Sequence, residues 1–371
     1  MKIVYASFDE VPSFKGASTH ILCGLREVRK HHHVTLLSLG TQAIRPSWGI
    51  DHRPIHLPER NILRRGLNFR QRVGAAFKRL QPDLIHFRSP WEGIAAVESG
   101  RRCVYEVNGL PSVELPYSYR QVSARVLELF RTWEKLCLDG AAQIICPAAR
   151  IAQHLTSEYD VSAEKITVLP NAYDPVPTGP DTPRTNGTLR MIYLGTLSSW
   201  QGILWSLKVF REFEGRVRLD IFTQPSKLAS RRLERRIRRH GLQEIVRVHP
   251  PAHRIALRDL MRTYDFGFAP FLKTARNTDQ GCCPLKLIDY LSHGLPVVAS
   301  NLSVVREHVT HEKNGMLFHP NSFQSLRDTF STLLSSSNPR DALREFARFS
   351  KPNTWTWTEY GTELGRIYAQ L

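Results

Sequence analysis

Short apolar runs alternate with amphipathic stretches along almost the whole chain, and this alternation restricts the fold more than any other feature. KIVYAS reads as a strand and GASTHILCGLREVRK as the helix that follows it. VTLLSL, DLIHF, CVYEV and QIICP continue the series, with helical stretches between most of them. Strand and helix in repeated succession require a parallel sheet with crossover helices on both faces. At residues 170–188, PNAYDPVPTGPDTPRTNGT breaks every periodicity with Pro, Gly, Thr and Asn and reads as a linker. The alternation then restarts with LRMIYLG, RLDIFT, IVRVH, DFGFAP and PVVAS. The expected fold is therefore α/β, with domains at 1–170 and 189–350 joined by a linker at 171–188. A last helix within 351–371 carries Trp355, Trp357, Tyr360, Leu364, Ile367 and Tyr368. It packs either on its own domain or back on the first.

Bulk properties narrow the partners. A chain of 371 residues suits two cores rather than one. Its net charge of +17 attracts nucleic acid, anionic membrane or phosphorylated substrates without choosing among them. No zinc finger and no aromatic stacking motif interleaves with the cations, so nucleic acid is not expected as a partner. No strand is followed by G-x-G-x-x-G, which argues against a dinucleotide-dependent oxidoreductase. The six cysteines (Cys23, Cys103, Cys137, Cys146, Cys282 and Cys283) show neither zinc spacing nor a disulfide framework, which favours a reducing compartment. MKIVYASFDE turns acidic before a signal-peptide core could form, and no apolar run approaches the roughly 20 residues of a membrane helix. The expectation is a cytoplasmic protein whose membrane contact, if any, is peripheral.

Several motifs then stand in a recognisable order. KGASTH (15–20) follows the first strand, and DLIHFRSP (83–90) and VYEVNGLPS (104–112) end two further strands. VLPNAYD (168–174) precedes the linker, YLGTLSSWQG (193–202) opens the second domain, and GCCPLKLIDY (281–290) leads a later helix. In this order the chain resembles glycosyltransferase family 4, the retaining nucleotide-sugar-dependent enzymes, over nearly its whole length. The resemblance implies the GT-B architecture, two tandem Rossmann-like domains with parallel sheets facing a central cleft. It also implies a nucleotide-sugar donor and no metal cofactor, and no Asp-x-Asp metal pair is present.

Against that resemblance the candidate residues take roles. Pro284 suits the first helical position, and the amides near Cys282, Cys283 and Leu285 would point from a positive helix end at a diphosphate. Leu285, Ile288 and Leu291 would face the core, leaving Lys286 to neutralise a phosphate and Asp289 to accept from the ribose hydroxyls. The family pattern is Glu, seven residues, Glu; here Gly281 and Asp289 occupy those positions. Thr196 and Gln201 stand where the family places Arg and Lys, so Lys286 is expected to take over, with Lys227 or Arg231. Glu307 resembles the Glu of the segment after the donor helix. In the first domain Gly16 would let the chain pass close to a ligand. His86 and Arg88 end a strand where open sheets bind ligands. Asn108 stands where family members carry His, and it can orient a sugar hydroxyl but not act as a base. Glu106 and Glu114 are the nearby carboxylates. His20 is expected to be a surface or packed residue, and His31, His32 and His33 a solvated turn rather than a metal site.

The reading is transfer of a sugar to a glycan or lipid-linked acceptor, with catalytic roles for Lys286, Asn108 and His86. Residues 59–81, ERNILRRGLNFRQRVGAAFKRLQ, interleave Ile62, Leu63, Leu67, Phe69, Val73 and Phe77 with Arg and Lys, which suits an anionic membrane surface. The rivals are a nucleotide-sugar binder without turnover, motivated by Gly281, Thr196 and Gln201, and a basic nucleic-acid-binding protein.

Overall fold

The computed structural model describes residues 1–119, 121–176, 187–251, 259–335, 338–349 and 352–371. Most of the linker expected at 171–188 lies outside the described residues. The chain divides into two units: Met1–Ala172 with Asp279–Cys283 and Trp355–Leu371, and Tyr173–Thr278 with Pro284–Thr354.

The first unit is built on seven strands: β1 (Lys2–Glu10), β2 (His33–Leu39), β3 (Asp51–Ile55), β4 (Leu84–Phe87), β5 (Cys103–Glu106), β6 (Gln143–Cys146) and β7 (Ile166–Val168). They pair in the order β3-β2-β1-β4-β5-β6-β7, parallel throughout. Among the described residues six α-helices lie in the crossovers, α1 (Gly16–Val28), α2 (Ile62–Leu80), α3 (Pro90–Glu98), α4 (Pro111–Ser118), α5 (Ala124–Gly140) and α6 (Ala149–Tyr159), while β2 passes to β3 through the short 3-10 turn Pro46–Trp48. The inner strands are buried on both faces; all four residues of β4 and of β5 are enclosed. The strand order reverses between β1 and β4, so the carboxyl ends of these strands flank the crevice where such sheets take ligands.

The second unit repeats the plan with β8 (Leu189–Leu194), β9 (Val217–Phe222), β10 (Val246–His249), β11 (Phe266–Ala269), β12 (Val297–Ser300) and β13 (Gly315–Phe318). Their order is β10-β9-β8-β11-β12-β13, again parallel, with the reversal between β8 and β11. Its helices include α7 (Ile203–Phe210), α8 (Lys227–Arg239), α9 (Leu285–Ser292), α10 (Ser303–Arg306), α11 (Phe323–Ser335) and α12 (Asn338–Phe349). Phe210, Phe268 and Phe330 meet edge to face in its core.

The last helix, α13 (Trp357–Ala369), belongs to the first unit and packs on α1. Thr356 and Glu359 close a capping box at its start. Trp357, Tyr360, Leu364, Ile367 and Tyr368 recur at helical spacing and are all buried. Glycines let the two helices approach: a Cβ on Gly361 would lie 2.2 Å from the Glu27 Cβ, and one on Gly24 would touch the Tyr360 ring at 3.2 Å.

The basic segment folds as α2 with Phe69, Val73 and Phe77 turned into the core, so the structure removes these three from any outer apolar face. Leu67 remains 48% exposed, among the outward Arg64, Arg72, Lys78 and Arg79. Among the described residues no helix is long and apolar enough to cross a membrane.

Candidate active site

In the first unit side chains from β1, α1 and the end of β4 converge on one buried carboxylate, Glu106, the last residue of β5. Its Oε2 accepts from the Tyr5 hydroxyl at 2.7 Å and from His86 Nε2 at 3.0 Å. Its Oε1 faces His20 Nε2 at 2.8 Å and Arg88 Nη1 at 3.4 Å, and accepts from the Asn108 amide nitrogen. Burial alone would raise the Glu106 pKa. The Arg88 guanidinium, His20 and the bonds from His20 and His86 outweigh burial and hold it well below the usual carboxylate range. Arg88 also approaches Asp9 at 3.5 Å.

The hydrogen bonds orient both imidazoles. Asn171 donates its amide nitrogen to the Cys283 carbonyl at 2.8 Å, so its carbonyl oxygen faces His20 Nδ1 at 2.7 Å. His20 Nε2 also lies 3.2 Å from the Tyr360 hydroxyl, so Asn171, Glu106 and Tyr360 together hold the ring in place. His86 differs. Burial lowers its pKa, its Nε2 donates to Glu106, and its Nδ1 accepts from the Tyr368 hydroxyl at 2.6 Å. Burial, reinforced by the Glu106 charge, holds the Tyr5 and Tyr368 hydroxyls well above the usual range, so both keep their protons. Arg88 thus lies between Glu106 and Asp9, and this pairing makes the buried charge tolerable.

His86 is therefore a fully enclosed, hydrogen-bonded histidine, and His20 is a packed residue rather than a surface one. Asn108 is half-buried just past β5. Gly16 is exposed at the first turn of α1, outside the left-handed region that would demand glycine. Glu114 folds over Gly109, where a Cβ would come 2.3 Å from its Oε1, and is not among the partners of Glu106. His31, His32 and His33 span the turn into β2, and no metal-holding group of three or more His, Cys, Asp or Glu occurs among the described residues.

In the second unit the loop after β8 and the start of α9 enclose Lys286. Two corrections apply here. Pro284 caps the helix in an extended conformation, and α9 begins at Leu285. Lys286 is not on the outer face with Asp289: it is only 9% exposed, while Leu285 is half-exposed and Leu287 takes the core position. The reason is an aromatic seat. The Lys286 ammonium lies 3.9 Å from the Tyr193 ring centroid and 5.3 Å from that of Phe271. It donates to Gln201 Oε1 at 2.6 Å. Gly195, at φ 138°, leaves room: a Cβ there would sit 3.1 Å from the ammonium. Thr196 is exposed, with its hydroxyl 3.1 Å from that of Ser198 and its carbonyl accepting from Tyr193 at 2.5 Å. Asp289 is half-buried, and its carbonyl accepts from His293 at 2.7 Å. Lys227 and Arg231 stand exposed on α8. Glu307 is exposed at the end of α10, where its carbonyl accepts from Asn353.

Cys282 and Cys283 are buried and belong to the first unit, as does Gly281. Gly281 has φ 87°, and a Cβ there would meet the Arg150 Cβ at 2.7 Å. A side chain at this position is thus excluded twice, by conformation and by contact. Gly281→Glu is expected to cost about 2 kcal/mol or more, read as a lower melting temperature, without gain in nucleotide-sugar affinity. An unchanged melting temperature would show that the loop can yield.

Tyr5, Asn171, Tyr193, Tyr360 and Tyr368 were not legible as site residues. The hints were Asn171, inside the VLPNAYD segment, and Tyr193, the first residue of YLGTLSSWQG.

Two doubly wound parallel sheets in tandem define the α/β GT-B class. HepE from Anabaena, solved with UDP and glucose, superposes with a TM-score of 0.77 at 16% identity over 100% of both chains. Sucrose-phosphate synthase from Thermosynechococcus elongatus matches with 0.77 at 15% identity over 100% of this chain and 98% of that one. WaaG, a glycosyltransferase involved in lipopolysaccharide biosynthesis, matches with 0.76 at 13% identity over 98% and 99%. Residues 14–176 match the model of Glycosyltransferase Family 4, and residues 188–336 that of Glycosyl transferases group 1. The D-inositol 3-phosphate glycosyltransferase of Jonesia denitrificans is 29% identical over 136 residues, 37% of this chain. That alignment spans 30% of the relative's length. The chain belongs to glycosyltransferase family 4.

Proposed function

We propose that the protein transfers a sugar from a nucleoside-diphosphate sugar to a glycan or lipid-linked acceptor, with retention of anomeric configuration and without a metal ion. The observation that carries this reading is Lys286, a cation seated beneath the donor-domain loop between Tyr193, Phe271 and Gln201. Departure of the nucleotide places negative charge on the β-phosphate, and a preorganised cation stabilises that charge where it develops. The anomeric centre becomes oxocarbenium-like, and the acceptor hydroxyl attacks from the face the nucleotide leaves. Membrane association would use Leu67 with Arg64, Arg72, Lys78 and Arg79 of α2. A binder without turnover is the second reading, favoured by Gly281 alone.

Thermal unfolding with UDP, GDP, ADP and NAD tests the donor site on wild type, Lys286→Met and Asp289→Ala. One nucleoside diphosphate at a hundred times its dissociation constant is expected to stabilise the wild type by about 2.7 kcal/mol. Lys286→Met is expected to weaken that binding by roughly 1.5–3 kcal/mol, the range for a hydrogen bond to a charged group. No stabilisation by any nucleotide would remove the donor reading; binding without transfer to any acceptor would favour the second.

A further inference from the structure

The Tyr368, His86, Glu106 and Asn108 side chains form a hydrogen-bonded chain from the last helix to the end of β5. Each link has a direction. Tyr368 donates to His86 Nδ1, which leaves the proton of the neutral ring on Nε2. That proton goes to Glu106, and the other oxygen of Glu106 takes the Asn108 amide nitrogen. A carboxylate has no hydrogen to give, so the Asn108 amide cannot turn over. Its carbonyl, a pure acceptor, points away from Glu106.

We infer that Tyr368, His86 and Glu106 are positioning residues for glycosyl transfer, which act by holding the Asn108 carbonyl ready to accept a hydrogen bond from a sugar hydroxyl. The inference rests on the transfer reading above. It adds that the contact selects a hydroxyl and disfavours a phosphate or carboxylate, which would meet a carbonyl oxygen backed by an anion. It also gives α13 a role in the site beyond covering the core: the hydroxyl of Tyr368 sets the tautomer of His86 from 282 residues away in sequence. Without it, His86 can move its proton to Nδ1 and turn a bare nitrogen toward Glu106, which loosens the carboxylate and the amide it holds.

Tyr368→Phe removes one oxygen and keeps the ring. With a nucleotide sugar and acceptor that the wild type turns over, kcat/KM is expected to fall about tenfold while stabilisation by the nucleoside diphosphate is unchanged. In an Asn108→Ala background the same change is expected to cost less than twofold, because the group it acts through is gone. A rise confined to the donor KM would place the hydroxyl on the donor sugar; a rise confined to the acceptor KM would place it on the acceptor. Ile367→Val, a packing change on the same helix, is expected to lower the melting temperature and leave kcat/KM within twofold. Histidine-selective nitrogen NMR needs no turnover: His86 is expected as the Nε2–H tautomer in the wild type and as a mixture in Tyr368→Phe. Additive losses in the double variant, or an unchanged tautomer, would overturn the relay. A tautomer that responds as expected in a protein that transfers no sugar would overturn the transfer reading instead.

Discussion

Glu106→Gln is expected to destabilise the first unit by about 3 kcal/mol, the lower end of what removing one partner of a buried ion pair costs. Shape is kept and charge is lost, so Arg88 is left in the interior facing a neutral amide, and His20 loses its carboxylate partner. For a unit of this size the melting temperature should drop by roughly 6–12 °C. The pH dependence has a definite sign. Glu106 titrates well below its unfolded value, near 4.3 for glutamate. Its contribution is therefore fully present above that value and is lost as pH falls through the folded-state pKa. The acid limb of a stability-against-pH curve should be shallower in Glu106→Gln, and the two curves should converge at low pH. Glu212→Gln serves as the contrast. It breaks an exposed pair with Arg327 and is expected to cost about 0.5 kcal/mol or less. Equal losses in the two variants would mean that Glu106 is not the charge on which the cluster depends.

Gly202→Ala is expected to have the larger effect per atom added. Gly202 closes the loop after β8 and caps α7 at φ 72°. A Cβ there would fall 1.7 Å from the Pro270 carbonyl oxygen and 2.9 Å from its carbon. Both are backbone atoms, so no rotamer change relieves the overlap. The surrounding bonds hold the strand-to-loop crossing together: Leu272 N donates to the Trp200 carbonyl at 3.0 Å, and the Asn277 amide spans the Trp200 and Leu272 carbonyls. Gly215 isolates the conformational part. It has φ 78° with nothing within 4 Å of a Cβ, so Gly215→Ala should cost about 1–2 kcal/mol. Gly202→Ala should exceed that by a further 2 kcal/mol or so, and should weaken nucleotide stabilisation because Gln201 and its bond to Lys286 adjoin the overlap. Chemical denaturation of both variants checks this. Similar losses would show that the Pro270 segment moves aside.

Much of the fold was legible because its signals are local. Apolar strands, the helices between them and the glycine-bearing strand ends are written within a dozen residues each, and the family motifs stand in order along the chain. The start of α9 falls one residue past the position that Pro284 predicts, but Lys286 does not lie on the outer face that helical spacing predicts. Helical spacing says which residues share a side. It does not say that two aromatic rings from β8 and the 271 loop offer a cation a better seat than water does. His86 showed the same limit: its position at a strand end was visible, its enclosure by Tyr368 was not.

By itself, then, the sequence determined the two parallel α/β units, the family and the strand ends where chemistry is placed. These follow from periodicity and from motifs a few residues long. Tertiary structure alone decided the state of the site: a packed His20, a neutral His86, an ionised Glu106 and an oriented Asn108. Those states depend on partners such as Tyr5 and Tyr368, 101 and 282 residues from the groups they meet. A hydrogen bond between such distant residues exists only once packing has excluded water and brought them within reach.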